Sequence, residues 1–307
     1  MNDAVLKQLQ NHFGERLQEN VSLAGYTTAR VGGPARWFAA ASSAKQLGED
    51  AAFLWETSFP YRVLGNGSNM LVSDLGWQGF VLLNSAKDIR VNAKSGQPSV
   101  FVESGAALTT LVRKVAEAGL SGLEWAAGIP GTVGGAVYGN AGAHGSDISK
   151  CLLLAEILHR NNGLLSLHGD EMGFTYRSSA YKREPGRVVI LSATFKLESS
   201  TIEAVQARVD AVNEKRRCAQ PAGASFGSTF KNPAGDHAAR LIEAAGLKGT
   251  RIGGVEVSPV HANFLINDGT GSAEDYRKLI DLVRKTVLGK FAVELEFEIE
   301  LFGDWKN

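Results

Sequence analysis

Cysteine is nearly missing: two residues in 307, Cys151 before an apolar run and Cys218 in KRRCAQP. Neither lies at a metal-ligand spacing, which argues against a zinc ribbon or a disulfide-stapled scaffold; a reduced compartment fits, with a single disulfide left open. His12, His144, His159, His168, His237 and His261 form no i, i+4 pair beside an acid, so no metal site is expected. An excess of either charge is missing too, because Lys plus Arg and Asp plus Glu both number 32. No global field draws such a chain to nucleic acid or to an anionic membrane, and any anionic ligand must be held by local groups. The opening MNDAVLKQLQNHFGERL lacks a basic start followed by a continuous apolar stretch, and nothing in the chain reads as a membrane span. The expectation is a cytoplasmic protein without nucleic-acid or membrane partners.

Hydrophobic residues make up 44% and charged residues 21% of the chain, the balance of a globular protein with a sizeable core. Its length fits two or three domains. Against that ordinary background, residues 128–145 read GIPGTVGGAVYGNAGAHG, with seven glycines in eighteen positions. Glycine loses the most backbone freedom on folding and offers no side chain to pack, so this run is expected to be neither a helix interior nor a strand.

Around it the pattern is mixed α and β. Val5, Leu6, Leu9 and Phe13 fall near helical spacing in 3–18, while YRVL (61–64), FVLLN (80–84) and VFVESG (100–105) read as strands. ALTTLVRKVAEAGLSG reads as a helix closed by glycine, and LLLAEILHR (152–160) and VVILSATFKL (188–197) as strands separated by turn and loop. From Ser200 to Arg217, Ile202, Val205, Val209 and Val212 share one helix face, and the following CAQPAGASFGS marks a candidate boundary. Beyond it come a helix near 236–246, strands around VEVS and NFLIN, a helix from about Ser272 to Leu288 with Tyr276, Ile280, Val283 and Val287 on one face, and an alternating strand VELEFEIEL.

Two loops stand out, LGNGSN at 64–69 and GIPGTVGGA at 128–136. Successive glycine N–H groups can point into one concavity and hold phosphate without a cation, so a cofactor with a pyrophosphate would account for both loops. Neither fits the dinucleotide fingerprint G-x-G-x-x-G or the G-x-x-x-x-G-K-[ST] phosphate loop.

YRVLGNGSNMLVSD, GIPGTVGGAVYGNAGAHG, YRSSAYK, FGSTFKNP, GLKGTRIGGVEVSPVHANFLIN and LEFEIELFG together resemble the UDP-N-acetylenolpyruvoylglucosamine reductases, flavoenzymes of peptidoglycan synthesis, in order and spacing across nearly the whole chain. The resemblance implies an α+β protein: an FAD-binding fold of the vanillyl-alcohol-oxidase (PCMH) type in two subdomains, expected at 1–75 and 76–205, and a C-terminal α+β substrate-binding subdomain at 206–307. It implies FAD as cofactor, NADPH as electron donor, UDP-N-acetylglucosamine enolpyruvate as substrate and a monomer as the working unit. FAD would lie against Gly65, Asn66, Gly67, Ser68 and Asn69 of the first loop. From the second stretch Gly128, Ile129, Pro130, Gly131, Thr132, Gly134, Gly135, Ala141 and Gly142 would contact it.

The implied reaction adds hydride to an unsaturated carboxylate and then a proton to the neighbouring carbon. Three side chains match the family's chemistry positions. Arg177 in TYRSS would hold the carboxylate as charge builds on it, since a guanidinium grips two oxygens at once and stays charged. Glu298 in LEFEIELFG would act near the same carboxylate, carrying a proton at the crucial step or working through a bound water. Ser228 in FGSTFKNP would donate the proton. On the bare pattern, Glu294, Glu296, Glu298 and Glu300 form a solvated face, and the resemblance alone singles out Glu298 over its neighbour Glu296. Tyr176, Lys215 and Asn232 are the candidates for gripping the nucleotide-sugar, with Arg216, Arg217 and Tyr181 nearby.

Three positions depart from the family pattern: His144 where a tyrosine is common, Phe297 where proline is common, and Glu300 where an arginine is frequent. His144 reads as a surface-loop residue rather than a flavin attachment point. The interval between YRSSAYK and VVILSATFKL is short, so an inserted loop known in one branch of the family is absent. Two other readings stay open at this level: an FAD-dependent oxidase on the same fold, and a nucleotide-sugar or flavin binding protein without turnover.

Overall fold

The computed structural model describes residues 3–57, 59–93 and 96–305. The chain forms two compact units that interleave in sequence: Met1–Gln18, Phe38–Gly65 and Gly79–Arg216 make the first, and Glu19–Trp37, Asn66–Gln78 and Arg217–Asn307 the second.

In the first unit, an antiparallel sheet of five strands runs in the order Gly163–His168, Leu152–His159, Val188–Lys196, Ser99–Glu103, Ile89–Asn92. Alternating side chains of its central strands point into one core with Leu108, Leu111, Val112 and Val115, the apolar face of the helix Leu108–Glu117. From the helix Ile202–Ala219 only Val205 and Val209 are fully buried, whereas Ile202, expected on the same face, is 52% exposed. A parallel pair joins Tyr61–Leu64 to Trp77–Asn84, with Leu64 opposite Leu83. The opening helix Asp3–Phe13 is held through His12 and the adjoining Arg16, which both bond to the buried carboxylate of Asp50 at 2.7–3.0 Å. A buried charge is tolerated when it is paired in this way.

Two expectations fail in this unit. Gly163–His168 is a strand and not part of a loop, paired with Leu152–His159 from His159 opposite Gly163 to Leu154 opposite His168. As an edge strand it only half-buries its inner face, Leu165 and Leu167, and the exposed Leu164 beside them, at 63%, blurs in sequence the alternation that marks a strand. The glycine-rich run, expected to avoid helix, contains the helix Val133–Gly139. Close packing explains it: Gly134 presses on Ser104, where a Cβ would lie 2.9 Å from the serine Cβ, so a residue with a side chain would push the helix off the sheet.

The second unit has its own core, in which Tyr276, Leu279, Ile280, Val283 and Val287 of the helix Ala273–Phe291 meet Leu241, Ile242, Val255, Val257 and Leu265. The expected face of that helix is the one that is buried. Its start carries a reciprocal capping box, Ser272 Oγ accepting from Asp275 N and Asp275 Oδ2 accepting from Ser272 N, both at 3.0 Å. Strands Val255–Val257 and Leu265–Asn267 appear where VEVS and NFLIN placed them. The run VELEFEIEL is not one strand: only Glu300–Phe302 is, and it pairs in parallel with Met70–Val72. Before it, Phe297 makes an isolated bridge to Phe230. Period-two alternation here records which side chains face the core, not a continuous ladder.

Because Ile280 is fully buried at the centre of this core, Ile280→Ala is expected to lower the stability of the second unit by about 2–5 kcal/mol, read as a shift of the unfolding midpoint in denaturant.

Candidate active site

The two glycine-rich loops meet. Gly65 ends the strand Tyr61–Leu64 and turns its bare Cα face to Thr132, so that a Cβ there would lie 2.6 Å from Thr132 Oγ1 and 2.9 Å from its methyl group. Thr132 is itself the cap of the helix Val133–Gly139, its hydroxyl accepting from Gly135 N at 3.3 Å. The backbone beside it is tied to the sheet: Gly134 N donates to Ser104 O at 2.7 Å, Val133 N to Ala106 O at 2.9 Å, and Leu108 N to Gly131 O at 3.0 Å. Gly128 and Gly131 adopt left-handed φ values of +71° and +114°, which re-aim successive peptide groups. Within this unit Gly65, Gly128, Ile129, Pro130, Gly131, Thr132, Gly134, Gly135, Ala141 and Gly142 thus fall along one continuous stretch and its contact with Gly65. A cradle of bare backbone, shaped by glycine and capped by a threonine hydroxyl, fits a pyrophosphate-bearing cofactor.

Arg177 reaches the end of the same stretch. Its guanidinium lies 3.3 Å from the place a Cβ on Gly142 would take, and 5.3 Å from the centre of the Tyr176 ring. Arg177 has a left-handed φ of +54°, in a tight turn where Thr175 and Ser178 exchange backbone hydrogen bonds. A non-glycine residue in that conformation is held against its own preference, which is common where a side chain must point in one direction. Tyr176 is 55% exposed.

At the other end of the stretch the helix Ile202–Ala219 brings its basic run close. Arg216 Nε lies 3.0 Å from where a Cβ on Gly128 would be, and burial pushes its pKa down. His144, on an exposed turn with φ +53°, has its pKa lowered by partial burial and then by the charges of Lys215 and Arg216. Lys215 and Arg216 therefore make a positive corner around the glycine loop, beside a His144 that they hold toward its neutral form, and Lys215 itself is exposed there.

The second unit holds the other half of the expected set. Asn69, last of the LGNGSN loop, donates from Nδ2 to Glu298 O at 3.0 Å and accepts from Glu300 N at 2.9 Å. Glu298 N donates to Thr229 O at 2.9 Å, which sets the half-buried Glu298 beside the segment that begins with Ser228. Ser228 forms a bridge with Phe264. Asn66, Gly67, Ser68 and Asn69, Ser228 and Glu298 are thus linked through short backbone pairings. The neighbouring acids are otherwise engaged: Glu296 pairs with Lys231 at 3.2 Å with its side chain 75% exposed, and Glu294 pairs with Arg284 at 3.0 Å. Asn232 lies on an exposed loop, its Oδ1 accepting from Ala238 N at 3.1 Å.

Several supporting residues escaped the sequence reading. Ser104 receives Gly134, and its hydroxyl accepts from Asn84 Nδ2 at 2.7 Å in full burial. Thr28 backs the Gly67 turn, its N–H donating to Gly67 O at 3.3 Å. Asn263, 3% exposed, bonds to Phe230 through both ends of its amide. Each is an ordinary polar residue without a motif of its own, so only its partners reveal it. Cys151 and Cys218 are both free thiols. Among the described residues no group of three His, Cys, Asp or Glu could hold a metal, and no helix is long and apolar enough to cross a membrane.

Residues 35–166 match the family model of an FAD binding domain, and residues 220–302 match that of the UDP-N-acetylenolpyruvoylglucosamine reductase C-terminal domain. Fold and site together define a flavoprotein: an FAD-binding α+β fold followed by a separate α+β C-terminal domain, as the resemblance implied. The UDP-N-acetylenolpyruvoylglucosamine reductase of Rubrobacter xylanophilus is 41% identical over 306 residues, covering 99% of this chain and 100% of that one. That of Bacillus subtilis is 38% identical over 303 residues, 98% and 99% of the two chains. The crystal structure of the enzyme from Thermus caldophilus superposes with a TM-score of 0.79 at 35% identity, over 93% of this chain and 99% of that one. The chain belongs to the UDP-N-acetylenolpyruvoylglucosamine reductase family.

Since any side chain at position 65 collides with Thr132, Gly65→Val is expected to displace the loop that carries Thr132. The purified variant should then retain much less FAD than the parent, measured as flavin absorbance per polypeptide.

Proposed function

We propose that the chain reduces UDP-N-acetylglucosamine enolpyruvate to UDP-N-acetylmuramate with NADPH, as an FAD-dependent enzyme of peptidoglycan precursor synthesis. The observation that carries this reading is the arrangement inside the residues matched by the reductase C-terminal model. There Glu298 N bonds to Thr229 O, directly after Ser228, and Asn69 of the glycine loop bonds to Glu298. A proton donor, a carboxyl group and a cofactor loop tied by three short segments suit a reduction followed by protonation better than oxidase chemistry, which needs no proton-donating serine.

The residues that would hold FAD are those of the Gly65–Asn69 turn and the stretch from Gly128 to Gly142, with Thr132 at the contact between them. Held there, FAD would supply the hydride chemistry between NADPH and the terminal carbon of the enolpyruvyl group. Hydride arrival drives negative charge onto the substrate carboxylate, and a fixed cation aimed there stabilises it most. Arg177 supplies that cation, held in direction by its left-handed turn. Glu298 acts on the same charge as a proton-bearing carboxyl or through a water. Ser228 then delivers its hydroxyl proton to the carbon bearing the ether oxygen and regains one from solvent. Lys215, beside Arg216, suits the diphosphate, while Asn232 and the exposed Tyr176 suit the polar rim of the nucleotide-sugar. The same reading divides the chain functionally into two FAD-binding subdomains, 1–75 and 76–205, and a substrate-binding one, 206–307. It places a monomer in the cytoplasm, with no nucleic-acid or membrane partner.

Ser228→Ala is expected to leave the reduction of the flavin by NADPH unchanged while slowing its reoxidation by enolpyruvyl substrate about 100- to 10,000-fold. Anaerobic stopped-flow absorbance separates the two steps; equal slowing of both would remove Ser228 from the proton-donor role. Arg177→Lys keeps the charge but not the planar two-point grip, and its reoxidation step is expected to fall about 100-fold. Reoxidation at the parent rate would take Arg177 out of the mechanism.

A further inference from the structure

The backbone that follows Ser228 is paired mostly by one residue, Asn263. Thr229 N donates to Asn263 O at 2.9 Å, Phe230 N donates to Asn263 Oδ1 at 3.0 Å, and Asn263 Nδ2 donates to Phe230 O at 2.8 Å. The remaining polar group, Thr229 O, accepts from Glu298 N. Of these four backbone groups, two go to the side-chain amide of Asn263, one to its main-chain carbonyl and one to Glu298. The asparagine amide therefore does what a neighbouring strand would do, supplying a donor and an acceptor at the spacing of one residue, and it does so in near-complete burial at 3% exposure.

Asn263 is in turn fixed by its own turn. Its N–H donates to His261 Nδ1 at 3.3 Å, while Ser258 Oγ accepts from Val260 N at 3.1 Å and from His261 N at 3.2 Å. Ser258 N closes the turn on Phe264 O at 2.9 Å, and Phe264 is the residue that bridges Ser228. The ring nitrogen of His261 accepts only when neutral, and burial lowers its pKa. The arrangement works through polar groups, and its apolar member, Phe230, belongs to the core with Phe226 and Leu265. Its polar pairs fix where a short irregular segment lies.

We propose that Asn263 is a positioning residue for proton donation: its amide holds the segment Ser228–Phe230 in register with Glu298, and so sets where the Ser228 hydroxyl points. The inference rests on the reading of Ser228 as the proton donor. No other residue type of this length supplies both a donor and an acceptor without charge. Aspartate does so only while protonated, since an ionised carboxylate presents two acceptors and faces the Phe230 carbonyl with repulsion. A misplacement of about 1 Å in a reacting group costs up to about 100-fold in rate.

The test is Asn263→Asp in the FAD-loaded full-length enzyme, with both half-reactions followed by anaerobic stopped-flow from acidic to alkaline pH. Reoxidation by the enolpyruvyl substrate is expected to approach the parent rate at acidic pH and to fall about 10- to 100-fold as the introduced carboxyl ionises. Flavin reduction by NADPH should follow the parent at every pH. Adding Asn263→Asp to Ser228→Ala should slow reoxidation no further than Ser228→Ala alone. A pH profile parallel to the parent, or equal slowing of both half-reactions, overturns the proposal. Should the buried carboxylate prevent folding, Asn263→Gln carries the same test without a charge: slower reoxidation alone, at all pH values, supports the proposal, and parent rates or parallel losses overturn it. If Ser228→Ala reoxidises at the parent rate, the proton-donor reading has failed; if it is slow while the Asn263 variants are normal, only the present inference has.

Discussion

The contact of Thr132 with the bare face of Gly65 is the constraint on which the cofactor side of this protein depends. Thr132 can stand there only because position 65 has no Cβ. From that point its hydroxyl caps the helix Val133–Gly139 and the adjoining backbone is bonded to Ser104 and Ala106. Gly134 must then lie flat on Ser104, so a second glycine follows from the first. The glycines of this stretch are not a flexible loop. Gly65, Gly134 and Gly142 stand where a Cβ would come within 3.0 Å of a neighbouring residue, Gly128 and Gly131 take left-handed φ values, and the result is a concave surface with its N–H groups fixed in direction.

The second unit reaches comparable precision by another route. Its chemistry-bearing segments are short, one bridge or a few paired residues each, and none is part of a large sheet. Direction is set by single hydrogen bonds from amide side chains: Asn69 to Glu298, and Asn263 to both polar groups of Phe230. An individual bond of this kind contributes only about 1 kcal/mol net. Loss of one partner, however, leaves a buried polar group unpaired, which costs about 1–3 kcal/mol and opposes any alternative geometry. The half-buried Asn69 and the buried Asn263 give up little stability for a large gain in definition.

How much of this could be read from the residues depends on how each element is stabilised. The helix Ala273–Phe291 was legible because its buried face repeats at helical spacing and Ser272 with Asp275 announces its start. Ser228, Arg177 and Glu298 could be named from resemblance, yet the four alternating glutamates look alike in sequence. In space they differ: Glu294 and Glu296 pair with Arg284 and Lys231 at the surface, the backbones of Glu298 and Glu300 are both bonded to Asn69, and that of Glu298 is bonded to Thr229 as well. Gly163–His168 was hidden because the exposed Leu164 sits next to the half-buried Leu165 and Leu167, so the apolar run does not alternate in sequence as the strand does in space. The helix at Val133–Gly139 was hidden for the opposite reason: its glycines answer to a neighbour, Ser104, that lies 30 positions earlier in the chain. Asn263 was invisible altogether, since one asparagine among many carries no pattern until its partners are known.

The interleaving of the two units also sets an order of events during synthesis. A growing chain that has reached Arg216 already contains every residue of the first unit, but only Glu19–Trp37 and Asn66–Gln78 of the second. Those two segments must wait for their partners: Met70–Val72 has nothing to pair with until Glu300–Phe302 is made. Domains fold as units, the earlier-made ones first. The glycine-lined stretch from Gly128 to Gly142 and its contact with Gly65 therefore have all their residues while the ribosome is still translating, whereas Asn66–Asn69 and the segment bearing Ser228 gain their partners only when Glu298 and Glu300 are made, near release.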